Sequence, residues 1–276
     1  MMLPRSRRPL IAVALSFCLA AAHASSVFAS SAATVILQDL TWIELRDSVA
    51  KGYTTAIIPI GGTEQSGPAM ALGKHNVRAA ALSQEIAAKL GNALVAPVIA
   101  YVPEGSLDPP TEHMRFPGTI TVSKEVFTKT LEFAARSLKH SGFRNIVLLG
   151  DHGGYQQLEQ AVACRLNSEW KATNTRVYAI REYYLAATTD FATLLTARGL
   201  SREEIGTHAG VADTSLMLAI DPTLVRPEQL RSGRKFERSD GVYGDPRRST
   251  AELGRLGTEL IVNRTVDTIR AAISKR

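Results

Sequence analysis

The chain has 276 residues, 45% of them apolar and 21% charged, with a formal net charge of +6. That balance fits a globular protein with a substantial core and excludes a disordered or fibrous one. The first stretch, MMLPRSRRPLIAVALSFCLAAAHASS, places Arg5, Arg7 and Arg8 before an apolar run and then Ala22-His23-Ala24. This order predicts a signal peptide over residues 1–24, because the run is too short for a permanent span and ends at a small-x-small cleavage site. An exported protein is therefore expected, periplasmic or secreted, with no membrane association once the signal is removed. Its loss would leave 29 basic against 26 acidic residues, or +3, with no basic stripe. That argues against a nucleic-acid partner. Cys164 would then be the only cysteine, so no internal disulfide is expected, and its place in QLEQAVACRLN reads as a small core residue within a helix.

Further along, apolar strand-like runs lie at 54–60, 93–101, 145–150 and 176–180, and helix-like stretches at 77–91, 123–142 and 155–170. Ser123 with Glu125 marks a helix start and Gly142 a stop. The strands are apolar throughout rather than alternating, as in a sheet covered on both faces. The alternation predicts one α/β domain with a mostly parallel sheet between helical layers.

In such sheets ligands gather beyond the carboxyl ends of the strands. TTAIIPIGGTE delivers Glu64 to that rim, and NIVLLGDHGG delivers Asp151 and His152. GTHAGVADTSLMLAIDP reads as a helix capped by Thr207, with His208 at its entrance and Asp213 in its first turns. PEGSLDPPTEHMRFPGT, residues 103–119, is too rich in proline and glycine for helix or strand. It predicts a loop over the pocket that offers Glu112, His113 and Arg115 to a polar substrate.

These stretches carry a resemblance. IIPIGGTEQSGP…LGKHN, FPGTITV, GFRNIVLLGDHGG, HAGVADTSLMLAIDP and GVYGDPRRSTAELG occur in the order and spacing of the creatininase, or creatinine amidohydrolase, family. The match runs over roughly residues 37–275. It implies a single three-layer α/β/α domain over residues 30–276, commonly a hexamer, that hydrolyses small cyclic or unusual amides with divalent metal. Glu64 and His152 match family metal ligands. Ser66, Ala69 and His75 stand where the family carries His, His and a metal-bridging Asp, and Gly154 replaces a second-metal glutamate of creatininase. His208 matches a histidine proposed to donate or accept a proton, and Asp213 stands where relatives have Glu.

The expected site is therefore Glu64, His75 and His152 around one metal, with Asp213 as fourth ligand or supporting partner. Zinc suits this set best, and iron or manganese is compatible. Asp151 or Asp213 would orient a metal-activated water, and His208 would protonate the leaving nitrogen. Two other readings stay open at this stage. One is a non-catalytic periplasmic binding protein with a degenerate site; the other is a metal-dependent isomerase, lyase or Fe(II) oxygenase.

Overall fold

The computed structural model describes residues 34–275; the expected signal segment lies outside them. Among the described residues, four strands form one fully parallel sheet: β1 (Thr55–Ile60), β2 (Ala93–Val95), β3 (Asn145–Gly150) and β4 (Arg176–Ala179), in spatial order β2-β1-β3-β4. The register sets Thr55 beside both Ala93 and Asn145, and Asn145 beside Arg176. Pro59 is tolerated in this central strand because β2 ends at Val95, before it would need a donor from the proline nitrogen.

Alternate residues of the strands feed two separate cores, which explains the unbroken apolar runs. Ile57, Val147 and Leu149 pack against α2 (Lys74–Leu90), α7 (Val211–Ile220) and α8 (Ala251–Ser274). Ala56, Ile58, Ile146 and Leu148 face α3 (Lys124–His140) and α4 (Gln156–Glu169), with Leu45 and Val49 of α1 (Trp42–Ala50) at the margin. The result is a three-layer α/β/α sandwich. On the α8 side, α5 (Arg181–Leu185) runs through a π-helical turn, Ala186–Asp190, into α6 (Phe191–Ala197). No helix among the described residues is long and apolar enough to cross a membrane.

Three local expectations change. The run at 93–101 is strand only as far as Val95, because Pro97 turns the chain away and leaves a single bridge from Ile99 to Ile60. The helix of residues 211–220 is capped by Gly210 rather than Thr207. Cys164 is exposed: the buried stripe of α4 is Val162, Ala163 and Leu166, and the next residue round the helix leaves that face.

Candidate metal centre

Glu64 and His152 reach one rim because β1 and β3 are adjacent and parallel. The Tyr155 hydroxyl ties the two exits together: it donates to the carbonyls of Ile60 and Gly61 and accepts from the His152 N–H. Asn76 holds the loop after β1, accepting from the Gly62 N–H and donating to Thr63. The loop of residues 103–119 is pinned above by threonines of the FPGTITV stretch. Thr119 accepts from the Gln65 N–H and donates to the His113 carbonyl, and Thr121 accepts from the Glu104 N–H. Gly62 has a φ of 150°, and a Cβ there would sit 2.4 Å from a Glu104 carboxylate oxygen. Glycine at that position is what lets Glu104 approach.

The buried Glu64 carboxylate faces two different environments. Its Oε1 lies 2.7 Å from His75 Nε2 and 3.3 Å from Lys74 Nζ. His75 Nδ1 lies 2.5 Å from Asp151 Oδ2, and Asp151 also accepts from Arg78 Nε and, at 2.7 Å, from the Tyr183 hydroxyl. Asp213 accepts from Arg78 at 2.8 Å, from Lys74 at 3.3 Å and from the Ala209 N–H. Burial works to raise all three carboxyls, but the adjacent cations overcome it: Lys74 and His75 hold Glu64 low, Arg78 holds Asp151 low, and Lys74 with Arg78 holds Asp213 low. Burial likewise works to lower His75, and Glu64 and Asp151 outweigh it and raise its pKa. Three cations from the first turns of α2 thus face three anions, Glu64 and Asp151 buried and Asp213 half-buried.

His75, expected as a ligand, lies between Glu64 and Asp151, with one ring nitrogen 2.7 Å from the first and the other 2.5 Å from the second. In that arrangement both ring nitrogens donate to carboxylates. The Arg78 guanidinium 3.1 Å from His75 Nδ1 is then a neighbouring cation rather than a donor to it. Asp151 and Asp213 are equally committed to α2 and α5 partners and stand apart from the group that converges.

That group lies on the other side of Glu64. Glu64, Glu104, His113 and His152 each bring a ligand atom within 4.8 Å of the others. Glu64 Oε2 is 3.1 Å from His113 Nε2 and 3.7 Å from His152 Nε2, and His152 Nδ1 is 3.8 Å from Glu104 Oε2. Yet Glu64 Oε2 and both oxygens of Glu104 are buried without a hydrogen-bond partner. Buried carboxylate oxygens are rarely left so. Four bonds of about 2.0–2.1 Å in a tetrahedron set neighbouring ligand atoms about 3.3 Å apart, close to the spacing seen here. Burial and the nearby Glu64 push Glu104 up to about 9, as expected for two carboxyls sharing a space with no cation between them. Burial also keeps both histidines in the neutral, ligating form, lowering His113 and bringing His152 down to about 4. Two imidazoles and two carboxylates suit zinc, manganese or iron.

Through His113 and His152 the group borders a cavity of about 290 Å³, which His75, Asp151, Asp213, Lys74, Glu112, Tyr184 and His208 also line. His208 Nε2 donates to the Gln65 carbonyl at 2.9 Å, and its Nδ1 accepts from Lys74 at 3.3 Å. Burial and the Lys74 charge take it down to about 3, so it is a neutral ring in a fixed tautomer. Arg115 is exposed and does not line this cavity. Sequence reasoning missed Glu104, Lys74, Arg78 and Gln65. Lys74 and Arg78 did leave a signal: cations in the first turns of a helix oppose its dipole and call for fixed acidic partners.

The family profile described as Creatininase: Creatinine amidohydrolase matches residues 38–269. Creatinine amidohydrolase of Pseudomonas putida is 27% identical over 267 residues, covering 86% of this chain and 96% of that protein. A mycofactocin precursor peptide peptidase of Mycobacterium tuberculosis is 28% identical over 234 residues, covering 72% of this chain and 78% of the relative. A solved structure of creatininase, Mn, shares 25% identity and superposes with a TM-score of 0.72 over 87% of this chain and 99% of its own. With a profile match across nearly all the described residues and the same layered architecture, the chain belongs to the creatinine amidohydrolase family.

Proposed function

We propose that the protein is an exported single-metal amidohydrolase whose metal is held by Glu64, Glu104, His113 and His152. The observation that carries this reading is the convergence of three buried carboxylate oxygens without hydrogen-bond partners on two neutral imidazoles, His113 and His152, that line a polar cavity. Zinc fits the ligand chemistry best. When bound, the metal supplies a Lewis acid and a water of lowered pKa.

The chain's own residues supply the rest. Lys74, wholly buried and held by Glu64, Asp213 and His208, places a fixed positive charge beside the cavity, where a carbonyl oxygen gains negative charge as water adds. The Gln65 side chain packs between the two rings, 3.1 Å from His113 Nδ1 and from His208 Nε2, and so limits how either can turn. His208, neutral and with both nitrogens engaged, orients Lys74 rather than carrying the proton to the leaving group. Tyr184 lines the cavity and brings a phenolic hydroxyl that can donate there. Overall, the water oxygen joins the carbonyl carbon, the C–N bond breaks, and a proton passes to the leaving nitrogen, giving acid and amine. The family relatives support both cyclic amides and peptides as the substrate class.

The test is elemental analysis of exported protein followed by assays with that metal on lactams, cyclic ureides and peptide amides. About one metal per chain with hydrolysis of an amide is expected from the ligand count. Protein that binds no divalent metal tightly would overturn the reading, as would turnover unaffected by chelation. Intact mass beginning at Ser25 would support export.

A further inference from the structure

A second, larger depression of about 1120 Å³ adjoins the cavity, and Thr188, Thr207 and Tyr243 line both. One wall is the helical run through α6. Thr188, Thr193 and Thr196 line it, and each hydroxyl donates to the carbonyl four residues back, at 2.9 Å in every case. The hydroxyl hydrogens are therefore spent, and what the wall offers an incoming group is a row of oxygen lone pairs. A rise of about 1.5 Å per residue makes that row about 12 Å long. The facing wall carries Lys235 and Arg238, the latter over the Tyr243 ring at 5.5 Å from its centroid.

We infer that this groove receives an extended peptide whose scissile bond lies at the metal. About 12 Å corresponds to three or four extended residues at about 3.3 Å each. Amide N–H groups recur along one edge of such a chain about every 6.6 Å, and the successive threonines, about 7.5 and 4.5 Å apart along the helix, bracket that interval. The wall thus offers acceptors to that edge without matching it in register. A peptide is also the extended polymer that carries the bond the adjoining site would cleave. The inference rests on the single-metal amidohydrolase reading above, and it adds that the substrate extends beyond the inner cavity of about 290 Å³.

The test uses zinc-loaded full-length protein and three hydroxamates. Acetohydroxamate reports the metal alone. Acetyl-Ala-Ala-Ala-hydroxamate extends on the acyl side of the scissile bond, and N-hydroxysuccinamoyl-Ala-Ala-Ala-amide extends on the amine side. One of the two tails should tighten binding by at least about tenfold over the head group, or about 1.4 kcal/mol. That ratio should fall to near one in both Thr193→Trp and Thr196→Arg, exposed positions whose folding is checked by thermal melts. If acetohydroxamate does not bind the loaded protein, the metal reading fails and the inference falls with it. If it binds but neither tail helps, or the gain survives in both variants, the groove assignment alone is overturned.

Discussion

The two oxygens of Glu64 compare two ways of burying charge. On the Oε1 side, Lys74, His75 and Arg78 answer Glu64, Asp151 and Asp213 with contacts of 2.5–3.3 Å, and the network closes on itself. On the Oε2 side, Glu104 and Glu64 leave three oxygens without partners beside two neutral imidazoles. The first half is complete as protein. The second reads as complete only with a cation. Burial of a carboxylate is therefore not the mark of a ligand, and neither is a missing partner alone, since Glu159 also keeps a buried oxygen without one; what marks Glu64 and Glu104 is that their unpartnered oxygens meet two imidazoles.

The sharpest way to break this distinction is Arg78→Met. Asp151 and Asp213 would lose their shared guanidinium, and uncompensated buried carboxylates typically cost about 3–5 kcal/mol. Denaturant unfolding should show that loss, while the folded fraction keeps its metal stoichiometry. A cost below about 1 kcal/mol would mean that the closed network contributes little.

Glu104→Gln probes the other half. Metal affinity should fall by at least about 100-fold, since residues that merely support ligands already cost about 10–100-fold. Stability of the metal-free protein should shift by no more than about 1 kcal/mol, because a protonated Glu104 and a glutamine each offer a donor toward Glu64. A destabilisation like that of Arg78→Met would erase the contrast.

The sequence made the fold readable because parallel strands covered on both faces are apolar at every position, and the helices between them carry clear stop signals. It also placed Glu64 and His152, four and two residues beyond the ends of their strands. What it could not place was set by contacts distant along the chain. Glu104 is a lone acid between Pro103 and Gly105, and it is buried only because Thr121 holds its backbone and Gly62 leaves room for its carboxylate. His113 sat in the loop read as substrate-contacting, with nothing local to show that its ring meets Glu64. His75 had the right residue type and spacing for a ligand. What its spacing did not show is that α2 begins at Lys74, before the expected start at residue 77, and sets the His75 ring between two carboxylates.

Acidity offers a subtler test of the open half. With Glu104 pushed up to about 9, the metal-free site at pH 7 holds a proton that the metal must displace. The histidines, already neutral, contribute none. Metal affinity should therefore rise about tenfold per pH unit between 6 and 8 and level off above about 9. Calorimetry in buffers of different ionisation enthalpy should find about one proton released per metal bound. Affinity independent of pH over this range would remove Glu104 from the site.

The smallest effect is expected at Arg115, which is exposed and outside the inner cavity. Arg115→Ala should change stability by less than about 0.5 kcal/mol and leave turnover of the best substrate within about twofold. A larger loss of activity would extend the substrate contacts beyond the cavity described here.

The position of the metal itself decides between the two halves. Crystals grown with zinc and measured at the zinc absorption edge would locate the ion directly. The account predicts one anomalous peak per chain, at bonding distance from Glu64, Glu104, His113 and His152, with His75 still held between Glu64 and Asp151. A peak at bonding distance from His75 or Asp213, or a second one between Glu64 and Asp151, would contradict it.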